Sequence, residues 1–355
     1  MSRTSLTDRL VALRRDYTGE NTGEAAPEVA AALARLTRAQ RESLVDVLRS
    51  DDAALEGMSV GEPVRRALFP IAETAGQRRL ESALLTAATR VVDHLHLRPP
   101  ATLLRPAHAL RAVRPTAAGL VLHLRPDALG PLLVELLPGT GPNGLAGLAG
   151  LRYRRRHRSV ELILLGDETP GRAVLAGVTG RSWQAGIAFV RRWTAETGRG
   201  TRLSGADLAD GLGEEERRQR AAAAPDPGGL GSALLRRSGL LSAGLWFTAW
   251  EYPASGVAAG DGEQGDWWWE WAGGPEPVDV HRRLRHPILG LPDPVGVLLS
   301  GDGRIPTRRR ADARPGPTVW LRTVPAPTEQ DERRLASFAW PAEFQAWREW
   351  DSRIG

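Results

Sequence analysis

The chain has 355 residues, 42% hydrophobic and 25% charged, the composition of a globular protein with more than one core. It has no cysteine, which excludes disulfides, thiolate catalysis and cysteine-ligated metal sites. No apolar run approaches the length of about 18 residues that would span a bilayer, and the polar N-terminus lacks the pattern of a secretory signal. We therefore expect a soluble, cytoplasmic protein.

The positive charge is unevenly distributed along the chain. All 47 basic residues are arginine, and the formal net charge is only +5. Residues 1–100 are neutral overall, residues 101–200 carry a net charge of +8, and residues 201–355 carry −3. Any electrostatic attraction to a polyanion is therefore expected in the middle of the chain.

The first hundred residues have a helical pattern. Ser5 with Asp8, and Thr37 with Gln40, are spaced as capping pairs at helix starts. Apolar residues recur at helical spacing between these signals, and Pro99 with Pro100 ends the pattern. The helices are predicted to start at Ser5, to cover 28–36, to start at Thr37, and to cover 63–68 and 73–95.

Between residues 101 and 203 the periodicity changes. Strands are predicted over 119–124 and 172–178, a helix over 127–137, a hairpin over 151–165, and a further helix capped by Ser182. This order is typical of an α/β sandwich with one open sheet face. Such a fold occurs in binding proteins and in enzymes, so it indicates no function by itself.

The remainder combines a linker with a tryptophan-rich part. Residues 204–231 are rich in Gly, Ala, Pro and charge and are predicted to be a linker with a short exposed helix. Ten of the twelve tryptophans follow it. Strands are predicted over 246–252, 267–271, 295–299 and 318–323, with a flexible loop at 254–266, a turn at Asp302-Gly303, and two closing helices.

These elements predict an α+β fold in three parts. A helical N-terminal bundle covers residues 1–100, a basic α/β sandwich covers 101–203, and a Trp-rich mixed β/α domain covers 232–355 after the linker at 204–231. We find no internal repeat in the sequence.

The densest positive charge lies in the predicted hairpin. Arginines on a hairpin can contact successive phosphates, and an interleaved tyrosine can stack on a base. The alternative is a solvated surface whose arginines pair with acids elsewhere. The predicted polyanion-binding residues are Arg152, Tyr153, Arg154, Arg155, Arg156 and Arg158, and a second basic run at Arg308, Arg309, Arg310 and Arg314 could extend the site.

The tryptophan hairpin is the second candidate site. Its tryptophans form either a stacked core or a docking surface for a protein partner. A sugar cleft with Glu251 and Glu270 is a weaker alternative, because period 2 places each glutamate on the face opposite its neighbouring tryptophan. The predicted partner-binding residues are Trp246, Trp250, Trp267, Trp269 and Trp271.

Other motifs indicate no specific chemistry. Gly139, Gly141 and Gly144 spell GxGxxG, but the segment before them reads as a helix rather than the strand that a dinucleotide loop needs. The seven histidines are scattered and lack metal-ligand spacing, and no P-loop or GxSxG motif is present. We therefore predict no cofactor and no metal, and favour a protein that is not an enzyme.

Three functions remain open at this stage. The first is a non-catalytic intracellular protein that contacts a polyanion through the basic hairpin and a protein partner through the Trp-rich surface. Nucleic acid is the favoured polyanion. The second is a scaffold or adaptor in a multiprotein assembly, without nucleic acid. The third is an enzyme with its site between the middle and C-terminal parts.

Overall fold

The structure is a computed structural model, and it describes residues 5–50, 55, 58–117, 119–141, 144–201, 211–222, 229–252, 266–292, 295–300, 317–337 and 341–354. Within these residues the protein is mixed α/β, with twelve α-helices, two larger mixed sheets and one small sheet. The loop predicted over 254–266 lies outside the described residues except for Asp266, which belongs to a strand. The turn at Asp302-Gly303 and the basic run from Arg308 to Arg314 lie outside them entirely.

The first helices begin where local capping signals occur. The side chains of Ser5, Thr37 and Asn21, the last of which was not predicted, each accept the backbone N–H of the residue three positions on. The side chain of that residue in turn accepts the backbone N–H of the capping residue. The helices are α1 (Leu6–Thr18), α2 (Thr22–Arg35), α3 (Arg38–Arg49), α4 (Glu62–Leu68), α5 (Ala75–His96), α6 (Leu129–Leu136), α7 (Gly180–Thr197), α8 (Glu214–Ala222), α9 (Leu230–Leu235), α10 (Pro277–Leu284), α11 (Glu329–Ser337) and α12 (Pro341–Ile354).

The strands form a five-stranded, a four-stranded and a three-stranded sheet. They are β1 (Leu110–Thr116), β2 (Gly119–Leu124), β3 (Gly139–Gly141), β4 (Gly144–Ala146), β5 (Leu151–Arg155), β6 (Ser159–Leu164), β7 (Gly171–Ala176), β8 (Gly200–Thr201), β9 (Trp246–Tyr252), β10 (Asp266–Ala272), β11 (Gly296–Leu299) and β12 (Thr318–Val324). The strand orders are β1-β2-β7-β6-β5, β11-β12-β10-β9 and β4-β3-β8.

Several element predictions differ from the structure. Helix α2 begins at Thr22 rather than at residue 28, because the capping box of Asn21 with Glu24 starts it before Pro27. Helix α7 is capped by Thr179 instead of Ser182. Strand β1 and helix α10 were not predicted, since arginines and a proline interrupt the apolar pattern of β1 and α10 is only eight residues long.

One hydrophobic core runs through the described residues and takes members from all three predicted parts. Helix α5 is central to it, because it packs on α6, α9, β7 and β9. Leu80 and Leu84 on α5 are almost completely buried. Helix α12 packs along α7.

No helix in the described part of the chain is both long enough and apolar enough to cross a membrane.

Candidate polyanion site

The predicted hairpin forms at the edge of the five-stranded sheet. Strands β5 and β6 pair antiparallel, with Arg154 opposite Glu161 and Arg155 opposite Val160. Because side chains alternate between faces along a strand, Arg152 and Arg154 share one face, and Tyr153 and Arg155 share the other. The cluster of arginines is therefore divided between two surfaces.

Arg152 is buried and paired. Its guanidinium donates two hydrogen bonds to the Glu216 carboxylate on α8, at 2.8 and 2.9 Å. The side chains of the pair are only 2% and 5% exposed. Arg152 is thus held inside the protein and is not placed to contact a phosphate, which corrects its predicted role. Helix α8, predicted to be exposed, is docked on β5 through this pair.

Glu216 has a strongly perturbed acidity. Burial raises the pKa of Glu216, but hydrogen bonds from Arg152 and from the backbone N–H groups of Gly213 and Gly150 lower the pKa to about 2 overall. The carboxylate is therefore ionised at neutral pH and neutralises Arg152.

Tyr153 is also buried, at 9% exposure. Its ring lies 4.8 Å from the ring of Trp183 on α7, centroid to centroid. This contact packs the hairpin on the helix, and the burial of Tyr153 leaves little of its ring open to a base. The predicted stacking role of Tyr153 is therefore corrected to a role in the core.

Three further arginines lie around one carboxylate. Glu161 accepts hydrogen bonds from Arg154, Arg156 and Arg172, at 2.6, 3.4 and 3.0 Å. Hydrogen bonding from Arg154 is the main cause that keeps the pKa of Glu161 below its usual range. Arg158 is exposed in the turn. We call Arg154, Arg156, Arg158 and Arg172 with Glu161 the arginine patch, which has four positive charges and one negative charge.

Arg155 faces a different surface, a groove between α7 and α12. The groove has a volume of about 610 Å³. Its lining combines apolar side chains with four arginines and a single carboxylate. We call it the α7–α12 groove, and its lining residues are Arg155, Trp183, Gln184, Ile187, Ala188, Arg191, Arg192, Ala195, Glu349 and Arg353.

Most arginines of the groove lack an acidic partner in the part of the chain that the structure describes. Arg192 pairs with Glu196 at 2.8 Å. Within the described ranges, Arg155, Arg191 and Arg353 have no carboxylate within 4.0 Å and are exposed. Sequence reasoning identified Arg155 but missed Arg191 and Arg353, because no local spacing connects residues on three separate elements.

The tryptophan hairpin forms as predicted, but its faces differ. Strands β9 and β10 pair antiparallel, with Trp250 opposite Trp268. Trp267, Trp269 and Trp271 are at most 1% exposed and belong to the core. A docking role for these three is therefore corrected, and Trp246 and Trp250 alone of the five predicted residues are partly exposed.

The opposite face carries a ladder of three stacked indoles. Trp250 stacks on Trp268, and Trp268 stacks on Trp320, with centroid separations of 6.1 and 5.7 Å. Because Trp268 lies between two indoles, neither face of its ring is open to a sugar ring. Glu270 on this face pairs with Arg322, whereas Glu251 points to the other face, so the two carboxylates do not form a catalytic pair.

The remaining motifs have structural settings. Gly139 and Gly141 lie in β3 and Gly144 lies in β4, an antiparallel pair and therefore not the strand, loop and helix of a dinucleotide site. His94 contacts Glu135 at 3.2 Å. Within the described residues, no group of three or more His, Asp or Glu side chains could hold a metal ion.

Comparisons with protein-family models, with curated proteins and with solved structures gave no match.

Proposed function

We propose that this is a non-catalytic intracellular protein that binds a polyanion through the exposed end of the β5–β6 hairpin, and that this polyanion is nucleic acid. The observation that carries the proposal is the arginine patch, in which three guanidiniums share the carboxylate of Glu161 and Arg158 is exposed in the adjoining turn. The patch has an excess of three positive charges, which attracts a phosphate backbone and releases its counterions. The positive segment charge of residues 101–200 adds to this attraction.

Arginine suits this role better than other cations. Its planar guanidinium donates two parallel hydrogen bonds to a phosphate, and it keeps its charge at every accessible pH. Arg156 and Arg172 are 57% and 51% exposed, so they can contact a ligand without unfolding of the hairpin. Arg154 and Arg172 also hold the Glu161 carboxylate, which keeps their own guanidiniums in place.

The proposal assigns the contact to the predicted basic middle part, residues 101–203, between a helical part (1–100) and a Trp-rich part (232–355). The buried positions of Trp267 and Trp269 give no support to a protein partner docked on their face.

Fluorescence anisotropy with labelled oligonucleotides across a salt series tests the proposal. The patch variant replaces Arg154, Arg156 and Arg158 with Gln. We expect wild-type affinity to fall steeply with salt, and the variant to flatten the slope by about one unit for each lost phosphate contact.

The control variant carries Arg38→Gln and Arg333→Gln, at sites whose side chains are 93% and 78% exposed on other helices. It should bind as wild type does. Equal, weak, salt-independent binding by wild type and the patch variant would refute nucleic acid as the ligand. That result would favour the alternative of a scaffold whose arginines are only solvated.

A further inference from the structure

The α7–α12 groove combines two kinds of surface that a simple charged face lacks. Its walls carry Arg155 from β5, Arg191 from α7 and Arg353 from α12. The apolar part of its lining, called its floor, consists of Trp183, Ile187 and Ala188. A ligand that fits both surfaces has an anionic part and a flat apolar part.

The three guanidiniums favour a phosphate. They line one groove from three separate elements, and in the described residues no carboxylate lies within 4.0 Å of any of them. Like charges gathered in this way repel each other, so an anion that lies between them is strongly favoured. A volume of about 610 Å³ is much larger than one phosphate needs and lies in the usual range for small-molecule sites, which is roughly 300–1,000 Å³.

The polar residues of the groove suit the edge of a base. Gln184 is exposed in the groove and has both donor and acceptor atoms. Glu349, the one carboxylate of the lining, can accept a hydrogen bond from an amino group of a base. The same carboxylate would repel an acidic peptide side chain, so the groove favours a nucleotide over a polyacidic protein segment.

We propose that the α7–α12 groove holds one unpaired nucleotide of a single-stranded nucleic acid. Its phosphate lies on Arg155, Arg191 and Arg353, and its base lies on the apolar floor with its edge towards Gln184 and Glu349. This inference rests on the proposed function, because the arginine patch on the other face of β5 holds the neighbouring phosphates. A base in a duplex is paired and stacked, so only a single strand can enter the groove.

The test compares a short labelled single strand with the duplex of the same sequence, by fluorescence anisotropy at constant salt. The groove variant carries Arg191→Gln and Arg353→Gln, and the control is again Arg38→Gln with Arg333→Gln. We expect the groove variant to bind the single strand about tenfold more weakly and the duplex almost as wild type does. The patch variant of Arg154, Arg156 and Arg158 should weaken both.

A strand with one abasic position separates base binding from charge. In a short strand, loss of the base should weaken binding to wild type but not further weaken binding to the groove variant. The variant Ile187→Glu, which places a carboxylate on the floor, should reproduce the effect of the groove variant. Circular dichroism and thermal melting show whether each variant is folded.

The outcomes distinguish the two proposals. If wild type binds neither single strand nor duplex, the proposed function fails. If wild type binds both single strand and duplex, and the groove variant lowers the affinity for both equally or not at all, the proposed function stands and the nucleotide site in the groove is refuted. If free mononucleotides displace the strand at equal concentration, the proposal that a strand occupies the groove is also refuted.

Discussion

At the scale of single residues, buried charges connect distant parts of the chain. Glu81 on α5 is completely buried and accepts hydrogen bonds from Arg236, Ser232 and Gln77. Gln77 in turn accepts the backbone N–H of Arg172 on β7 at 2.7 Å. The carboxylate therefore joins α5, α9 and the basic sheet in one network.

Replacing Glu81 with Ala should be strongly destabilising. The change leaves the guanidinium of Arg236 buried without a counter-charge, and we expect the free energy of unfolding to fall by about 3–5 kcal/mol. Urea denaturation measures it. Glu42→Ala, which breaks the exposed Arg38–Glu42 pair, should cost less than about 1 kcal/mol. Similar losses for both variants would contradict the importance of the buried network.

His96 should make stability depend on pH. Burial lowers its pKa to about 4, with Arg105 and His108 acting in the same direction and Glu332 opposing them. The unfolded chain takes up this proton near pH 6.5, so between pH 6.5 and 4 the unfolded state binds more protons. The free energy of unfolding should therefore fall as the pH falls across that range.

The measurement is chemical denaturation at several pH values between 7 and about 4, which spans the window set by the two pKa values. The variant His96→Leu removes the titrating group, so its curve should be flatter there than that of wild type. Parallel curves would show that other groups, such as His108, cause the pH dependence.

At the scale of elements, the indole ladder holds the C-terminal sheet together. Trp250, Trp268 and Trp320 lie at matching register positions on β9, β10 and β12. Trp268 in the middle is 2% exposed, and the guanidinium of Arg322 lies 5.8 Å from the centre of its ring. Cross-strand aromatic pairs of this kind stabilise a sheet beyond the area that they bury.

Trp268→Ala should lower the free energy of unfolding by about 3–5 kcal/mol, because it removes a buried ring and both stacking contacts. Trp250→Ala, at the partly exposed end of the ladder, should cost clearly less. Guanidinium denaturation followed by far-ultraviolet circular dichroism compares them. A larger loss for Trp250 would mean that the ladder does not stabilise the sheet from its centre.

At the scale of the whole molecule, Trp347 connects α12 to α5 and α7. Its Nε1–H donates to the backbone oxygen of His94 on α5 at 3.2 Å. Its ring lies 4.8 Å from that of Phe189 on α7, and the guanidinium of Arg98 lies over it at 4.9 Å. The position of Arg353 beside the α7–α12 groove depends on this packing.

Trp347→Ala should therefore reduce hydrogen-exchange protection in α5, α7 and α12 together. A shared loss is expected because one core passes through all three helices, and its cost should be about 3–5 kcal/mol. Phe344→Ala on the same helix, at a side chain that is 36% exposed, is the control. Loss confined to α12 would instead favour separately folding domains.

The sequence predicted elements well where the signal is local. Capping boxes, such as those of Ser5 and Thr37, connect residues three positions apart. The alternation of side chains between the two faces of β9 and β10 repeats every two residues. Strand β1 was missed because Arg111, Arg114 and Pro115 conceal its alternation, and only pairing with β2 makes it a strand.

The candidate site was predictable only in part. The concentration of arginine between 152 and 158 is a property of the sequence, and Arg154, Arg156 and Arg158 are indeed accessible. The burial of Arg152 was not predictable, because its partner Glu216 is 64 residues away in the sequence.

The sequence by itself determined the starts of the first helices, the hairpins and the placement of charge, since each depends on residues close together in the chain. Only the tertiary structure decided which face of each strand is buried and which arginines share the α7–α12 groove. Strand alternation places Trp267 and Trp268 on opposite faces, but packing against α9 makes the face of Trp267 the core. Likewise, Arg155 and Arg353 share a surface because α12 packs on α7.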